Sequence, residues 1–465
     1  MISATGGRFR TGSASSSSRY WTVIAFLIAL PVMGSLLMIV LSLFYPDAEV
    51  MQHLLRFVLL RITWNTLLLV VGVSLLAGAI GVVLGWITAM YEFPGRRFFN
   101  WALLLPMAVP GYVMAFVVVG LFEYAGPIQS LLREWFGPEI WFPHVQSRLG
   151  LVVVMSLALY PYVYLLARNA FLTQGRRALE VGQSLGLTRR EGFFRVALPM
   201  ARPWIAGGLM LVIMETLADF GTVSVFNYDT FTTAIYHSWF SLYSINSALQ
   251  LAFFLLLLVF LVIAFERKLR GRTAYHSRMS PVAARRRLTG SPKWLASAFA
   301  GLVLIAGFGL PCLQLLIWAV QYGQLDSRFL STGLRTLMLA TTAAVFITAL
   351  ALVLVYALRN AGSNARIAGR IATLGYALPG TVLAVGIYTQ MAGVNGFLND
   401  LLQSLTDTSP RLFLQGTVLS MLLAYLIRFL AVAFQSVDAA MQRLTMGIDE
   451  SARSLGIGGW SLLAR

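Results

Sequence analysis

Long apolar runs separated by short, basic islands set the pattern of this chain. Runs of 20 or more residues without Asp, Glu, Lys or Arg recur along it, enough to cross a bilayer core of about 30 Å. The runs place spans at 21–44, 63–90, 98–122, 149–172, 203–226 and 244–265, then at 294–320, 333–358, 367–391 and 412–437. Their hydrophobicity is continuous and does not alternate, which argues against a β-barrel. Each span is read as a helix, because open backbone cannot face lipid. The expected fold is an all-α, polytopic membrane helical bundle.

Composition agrees. The chain has 465 residues, 58% of them hydrophobic and 11% charged, against roughly 25% charged in ordinary soluble domains. A formal charge of +17 would suggest nucleic acid in a soluble protein, but here the basic residues sit mostly between spans, where they set orientation. No nucleic-acid partner is expected; the lipid bilayer is. Arg8, Arg10 and Arg19 place residues 1–20 inside as a cytoplasmic tail. The count of spans then puts Arg96, Arg97, Arg176, Arg177, Arg189, Arg190, Arg195 and Arg202 inside as well. The single cysteine, Cys312, lies in an apolar run and reads as a buried, inert thiol.

The chain repeats itself. Glu180 and Gly186 recur as Glu450 and Gly456, an offset of 270 residues. Leu105–Gly111, ending Pro110-Gly111, recurs as Leu374–Gly380, ending Pro379-Gly380, at an offset of 269. Both halves enter the membrane in the same direction, so the repeat is parallel. The first half covers 21–265, a basic cytoplasmic linker covers 266–293, and the second half covers 294–465 with four spans to the first half's six. The second half is therefore expected to be truncated, with roughly 70 residues and two helices wanting by repeat logic.

The polar segment at about 176–200 carries the sharpest local pattern. Residues before Gly186 favour a helix, and Gly186 can end it in a left-handed conformation. Thr188 followed by Glu191 predicts a capping box opening a second short helix. Phe193, Phe194, Val196 and Leu198 supply apolar contact, and Pro199 is expected to end the element. Helix, glycine turn, helix and proline make a stiff lever whose aromatic residues could enter a groove on a soluble partner. A solvated connecting loop is the plainer alternative for one copy. A second copy in register, from about 446, weighs against it.

This segment resembles the Glu-Ala-Ala–Gly coupling loop of permease subunits of binding-protein-dependent ABC importers, which have the MetI-like fold. Glu180, Gly186, Leu198 and Pro199 match that pattern, as do Glu450 and Gly456; Val181-Gly182 stand where the family has paired alanines. Two halves in one chain, with Met214–Val223 and Thr230–Tyr236, are similar to the fused ferric-iron importer permeases. The resemblance implies a non-catalytic inner-membrane subunit whose coupling residues are Glu180, Gly186, Phe193, Phe194, Leu198, Pro199, Glu450 and Gly456. It implies two partners: a cytoplasmic ABC ATPase homodimer that holds ATP and Mg²⁺, and a periplasmic substrate-binding protein. No cofactor is expected in this chain itself. Its two lysines, Lys268 and Lys293, lie outside any phosphate-cradling Gly-x4-Gly-Lys-Ser/Thr loop.

Other residues leave alternatives open. Glu215 and Asp219 fall one helical turn apart. They read either as part of a translocation path or gate, or as a pair neutralised by an arginine such as Arg168 or Arg428. Pro110, Gly111, Pro379 and Gly380 interrupt the third span of each half and either line a pathway or serve helix packing. Tyr160, Tyr162 and Tyr164 alternate, so they are not expected to share a helix face, and packing about Pro161 is favoured over ferric chelation. No metal-ligand spacing surrounds the histidines. Ferric iron is the favoured substrate, with thiamine, polyamine and phosphonate as alternatives on the same machinery. An ion-gradient-driven secondary transporter with parallel repeats is the alternative of a different class.

Overall fold

The computed structural model describes residues 16–45, 48–175, 182, 184, 186–270, 285–323, 327–361, 363–406 and 414–441. In chain order its helices begin with α1 (Ser16–Leu41), α2 (Ala48–His53), α3 (Leu59–Met90), α4 (Arg96–Ala102), α5 (Gly111–Phe122) and α6 (Pro127–Phe136). Next come α7 (Arg148–Ala170), α8 (Arg189–Gly192), α9 (Leu198–Ala218), α10 (Gly221–Val225), α11 (Phe231–Phe240) and α12 (Ile245–Arg270). The last are α13 (Ser291–Leu304), α14 (Leu310–Tyr322), α15 (Ser327–Asn360), α16 (Ser363–Thr373), α17 (Gly380–Thr406) and α18 (Val418–Met441). Among the described residues, 10 helical stretches are long and apolar enough to cross a membrane. The one sheet among them is a two-residue parallel pair, Tyr91–Glu92 with Arg286–Arg287, which clips the end of the linker to the end of α3.

Two expected spans shift. The third and ninth apolar stretches run Gly111–Phe136 and Gly380–Leu405, not 98–122 and 367–391. In both places the chain makes a single 3₁₀ turn, Leu105–Ala108 or Leu374–Ala377, then one extended residue, then proline and glycine. Val109 has φ −97° and ψ 119°, and Leu378 has φ −82° and ψ 128°. Each precedes a proline, whose ring excludes the helical conformation from the residue before it. The repeated Pro-Gly is thus a repeated helix break. The fifth span also shifts. Its helix begins at Arg190 rather than near 203 and stops at Ala218.

The helices form two compact units, and these do not follow the halves of the repeat. One unit spans Phe44–Leu325 with Pro379–Val382, so α13 and α14, the first span of the second half, pack with the first half. The other contains α1 together with α15, α16, α18 and most of α17. The halves trade their first spans because small residues on those spans open seats on the other half's helices. Ala25 and Ala29 of α1 are buried in a core with Ala351, Ala357, Ala365, Ala368 and Ala372. Trp21 meets Tyr356 edge to face at 4.9 Å, and Ser35 Oγ donates to Gln390 Oε1 at 3.0 Å. In the other unit Trp318 of α14 lies 5.7 Å from Phe116 of α5, and Ser297 Oγ of α13 donates to the Pro94 carbonyl at 2.8 Å.

The core of the first-described unit is the α3–α7–α9 contact. Lipid gives helices no hydrophobic reason to associate, so close backbone approach at small residues does that work. A Cβ on Gly81 would sit 2.8 Å from the Tyr164 nitrogen and 3.0 Å from the Tyr160 carbonyl oxygen. These are backbone atoms that cannot swing aside. Gly81→Val should therefore push α3 from α7 and cost about 1–3 kcal/mol, read as a lowered midpoint of thermal unfolding in detergent.

Candidate functional site

The segment between α7 and α9 is built largely as its residues require. Gly182 and Ser184 are helical, and Gly186 follows with φ +85°, exposed and with open space where a Cβ would stand. Leu187 N–H donates to the Gly182 carbonyl at 3.0 Å, the bond that closes a helix end around a left-handed glycine. Glu191 Oε2 then accepts from the Thr188 amide at 3.0 Å and from the Thr188 hydroxyl at 2.7 Å, while Thr188 Oγ1 accepts from the Glu191 amide at 3.4 Å. This is the expected capping box. Glu180 lies outside the described residues, as do Glu450 and Gly456 of the second copy.

Two expectations for this segment need correcting. Pro199 does not end the element: α8, a π-turn at Phe193–Ala197 and α9 run on continuously, with Pro199 in the first turn of α9. Proline lacks the N–H and crowds the preceding turn, and a π-turn just before it gives the room that α winding would deny. Leu198 and Pro199 are half-buried there. The two phenylalanines also part company. Phe194 is 56% exposed and faces outward. Phe193 is half-buried and turns inward, 4.6 Å from Trp86 and 6.4 Å from Phe171.

The second site is a pocket of about 180 Å³ beside the first break. Pro110 and Gly111 line it, and so do Glu215, Asp219, Thr222 and Tyr162. Four of the six residues expected on a path or gate are thus brought together. Pro379 and Gly380 are not among its lining residues; they form the equivalent break of the second half. Met155 and Tyr162 of α7 also line the pocket. At 1.5 Å per residue from Arg148 they lie about 10 and 21 Å along that helix, so the pocket lies beside the middle of α7.

The two carboxylates are held differently. Asp219 is tied into the fold: Oδ2 accepts from the Thr222 hydroxyl at 2.7 Å and Oδ1 from the Val223 amide at 3.1 Å. Thr232 Oγ1 donates to the Asp219 carbonyl at 2.7 Å. The Thr230–Thr233 capping box and the Asn65 Nδ2 bond to the Asp229 carbonyl, at 3.1 Å, pin this turn to α3. Glu215, one turn earlier, makes no hydrogen bond or ion pair among the described residues. Among the described residues no ion pair joins Glu215 or Asp219 to Arg168. Arg428 donates to the Leu378 carbonyl at 2.7 Å and lies over the Tyr376 ring at 5.6 Å.

The tyrosine expectation is also corrected. Tyr160 and Tyr164, four apart, share a buried face of α7, as positions i and i+4 must. Tyr160 donates to the Leu103 carbonyl at 2.9 Å and Tyr164 to the Asn100 carbonyl at 3.1 Å. They satisfy carbonyls that the break left without helical partners, while Tyr162 faces the pocket. Trp86 and Phe171 carried no signal in the sequence, because apolar runs bear no mark of what they will touch.

Residues 81–275 match the model of the binding-protein-dependent transport system inner membrane component family. These residues belong to that family. The matched stretch contains α7 to α9, the Gly186 turn, both carboxylates and the first Pro-Gly break. Over these residues the chain is similar to inner-membrane components of importers, and with its 10 long apolar helical stretches it is a multi-pass membrane protein. It is 26% identical over 453 residues to the Fe(3+)-transport system permease protein FbpB 2 of Haemophilus influenzae, covering 94% of this chain and 81% of that protein. The sulfate transport system permease protein CysT of Salmonella typhimurium is 30% identical over 158 residues, covering 34% of this chain and 55% of its own. The molybdenum transport system permease protein ModB of Escherichia coli is 27% identical over 167 residues, covering 35% and 71%.

Two substitutions probe the local geometry. Tyr160→Phe leaves the Leu103 carbonyl unpaired inside the bilayer and should cost about 1 kcal/mol, measured by unfolding in detergent. Gly186→Val forces a β-branched residue into left-handed backbone at a cost of roughly 1–2 kcal/mol. It should speed tryptic cleavage after Arg189 and Arg190 relative to the parent protein.

Proposed function

We propose that this permease carries ferric iron across the inner membrane, delivered by a periplasmic binding protein and driven by a separate ATPase dimer. The observation that carries the substrate is the reach of the similarity to the Fe(3+) permease. It runs through 94% of the chain, both halves included, whereas the sulfate and molybdenum permeases align with about a third. Electrostatics points the same way. A pocket with two carboxylates and no basic side chain in its lining favours a cation and opposes an oxyanion. Thiamine and polyamine are also cationic, and the same pocket would suit them; phosphonate it would not.

In this reading the Gly186 segment and its second copy dock on the ATPase dimer. ATP binding closes that dimer and draws the two levers together, and the helices rock between inward- and outward-open states. Phe194 and the exposed face of α8 supply the docking contact. Glu215 is the passing ion's contact group, since its carboxylate is unpaired and faces the pocket. Asp219 holds the turn that shapes the pocket wall.

The importer reading is tested by affinity purification from membranes. An ATPase should be retained in a 2:1 ratio to this chain, and ferric uptake into vesicles should require it. Uptake driven by an ion gradient without any ATPase would instead establish a secondary transporter. Glu215→Gln keeps size and removes charge. It should lower ferric uptake about tenfold, as loss of one charge-assisted contact does, with the ATPase still bound. Unchanged uptake would take Glu215 out of the path.

A further inference from the structure

Both ends of the coupling segment enter the membrane domain in the same unusual way. The exit from α7 is a π-turn at Phe171–Gly175, and the return into α9 is a π-turn at Phe193–Ala197. Each π-turn opens with a phenylalanine, and both rings pack on one side chain, Trp86 of α3. The Trp86–Phe171 centroids lie 5.1 Å apart with the rings at 80°, and the Trp86–Phe193 centroids 4.6 Å apart at 61°. Around them Ala167, Ala170, Ala197 and Ala201 form a buried core with Ala89 and Met90, so three helices meet there at close range.

We infer that Trp86, Phe171 and Phe193 are the joint that passes the coupling segment's movement to the membrane helices, a positioning role that rests on the importer reading above. A lever moves a helix only if its attachment is stiff in some directions and yields in others. Edge-to-face aromatic pairs supply the stiffness, each worth about 0.5–1.5 kcal/mol beyond its buried area. The π-turns supply the yielding direction. A segment that passes between π and α winding shifts its register by one residue, about 100° of rotation and 1.5 Å of rise. Two such turns held against one tryptophan convert displacement of the segment into rotation of α7 and α9 about α3. Adjacent residues thereby divide the labour: Phe194 meets the partner, and Phe193 meets the joint.

This division gives opposite outcomes for two variants. The full complex of permease, ATPase dimer and binding protein is reconstituted in proteoliposomes, with ferric iron on the binding protein as the probe. Trp86→Ala should retain the ATPase at parental affinity while ferric ions moved per ATP hydrolysed fall about tenfold, the size expected for loss of a coupling contact. Trp86→Phe should recover most of that ratio. Phe194→Ala should do the reverse, weakening ATPase retention and leaving the ratio intact in the complexes that remain.

The joint is overturned if Trp86→Ala leaves the ratio unchanged or releases the ATPase. It is also overturned if Trp86→Ala and the milder Phe171→Leu both fail to accumulate in the membrane, because the cluster then serves folding alone. Failure of the parent chain to retain any ATPase is a distinct result. It removes the importer reading first, and the joint with it.

Discussion

A helix interrupted inside a bilayer exposes carbonyls that no water reaches, and the rest of this structure depends on how those carbonyls are satisfied. At the first break two phenols from one face of α7 reach across to Leu103 and Asn100. At the second, a guanidinium from α18 reaches Leu378. The two halves therefore keep the same break by different chemistry. The first solution is neutral. The second holds a fixed charge, screened by the Tyr376 ring. Because the breaks are held, the backbone can turn aside and leave the pocket that contains Glu215 and Asp219.

The same logic governs the acidic pair. A carboxylate in mid-membrane persists only where something compensates for lost hydration. Asp219 meets that condition through Thr222 and the Val223 amide, and a chain of threonine bonds fixes the turn against α3. Glu215 meets it only by facing the pocket. One carboxylate is thus part of the scaffold and the other stands open to the pocket, although their sequence positions look alike.

Small residues decide which helices meet. Gly81 admits α7 to α3, and the alanines of α1 admit that helix to α15 and α16. The exchange of first spans follows from this fit and ties each packing unit to both halves of the repeat. At the ends of α7 and α9 the same economy of space lets Trp86 reach two phenylalanines that bracket the Gly186 segment.

Much was legible from residue order alone. Ten apolar runs determined ten helical stretches, because a bilayer accepts little else. Thr188 and Glu191 determined a capping box, Gly186 a left-handed turn, and the two Pro-Gly pairs two breaks, because each is settled by backbone bonds a few residues apart. What lay beyond that range was decided only by the tertiary structure. The exchange of first spans, the inward turn of Phe193, and the shared face of Tyr160 and Tyr164 toward freed carbonyls all depend on partners tens to hundreds of residues away. Local pattern records what a segment can form; only packing records what it will touch.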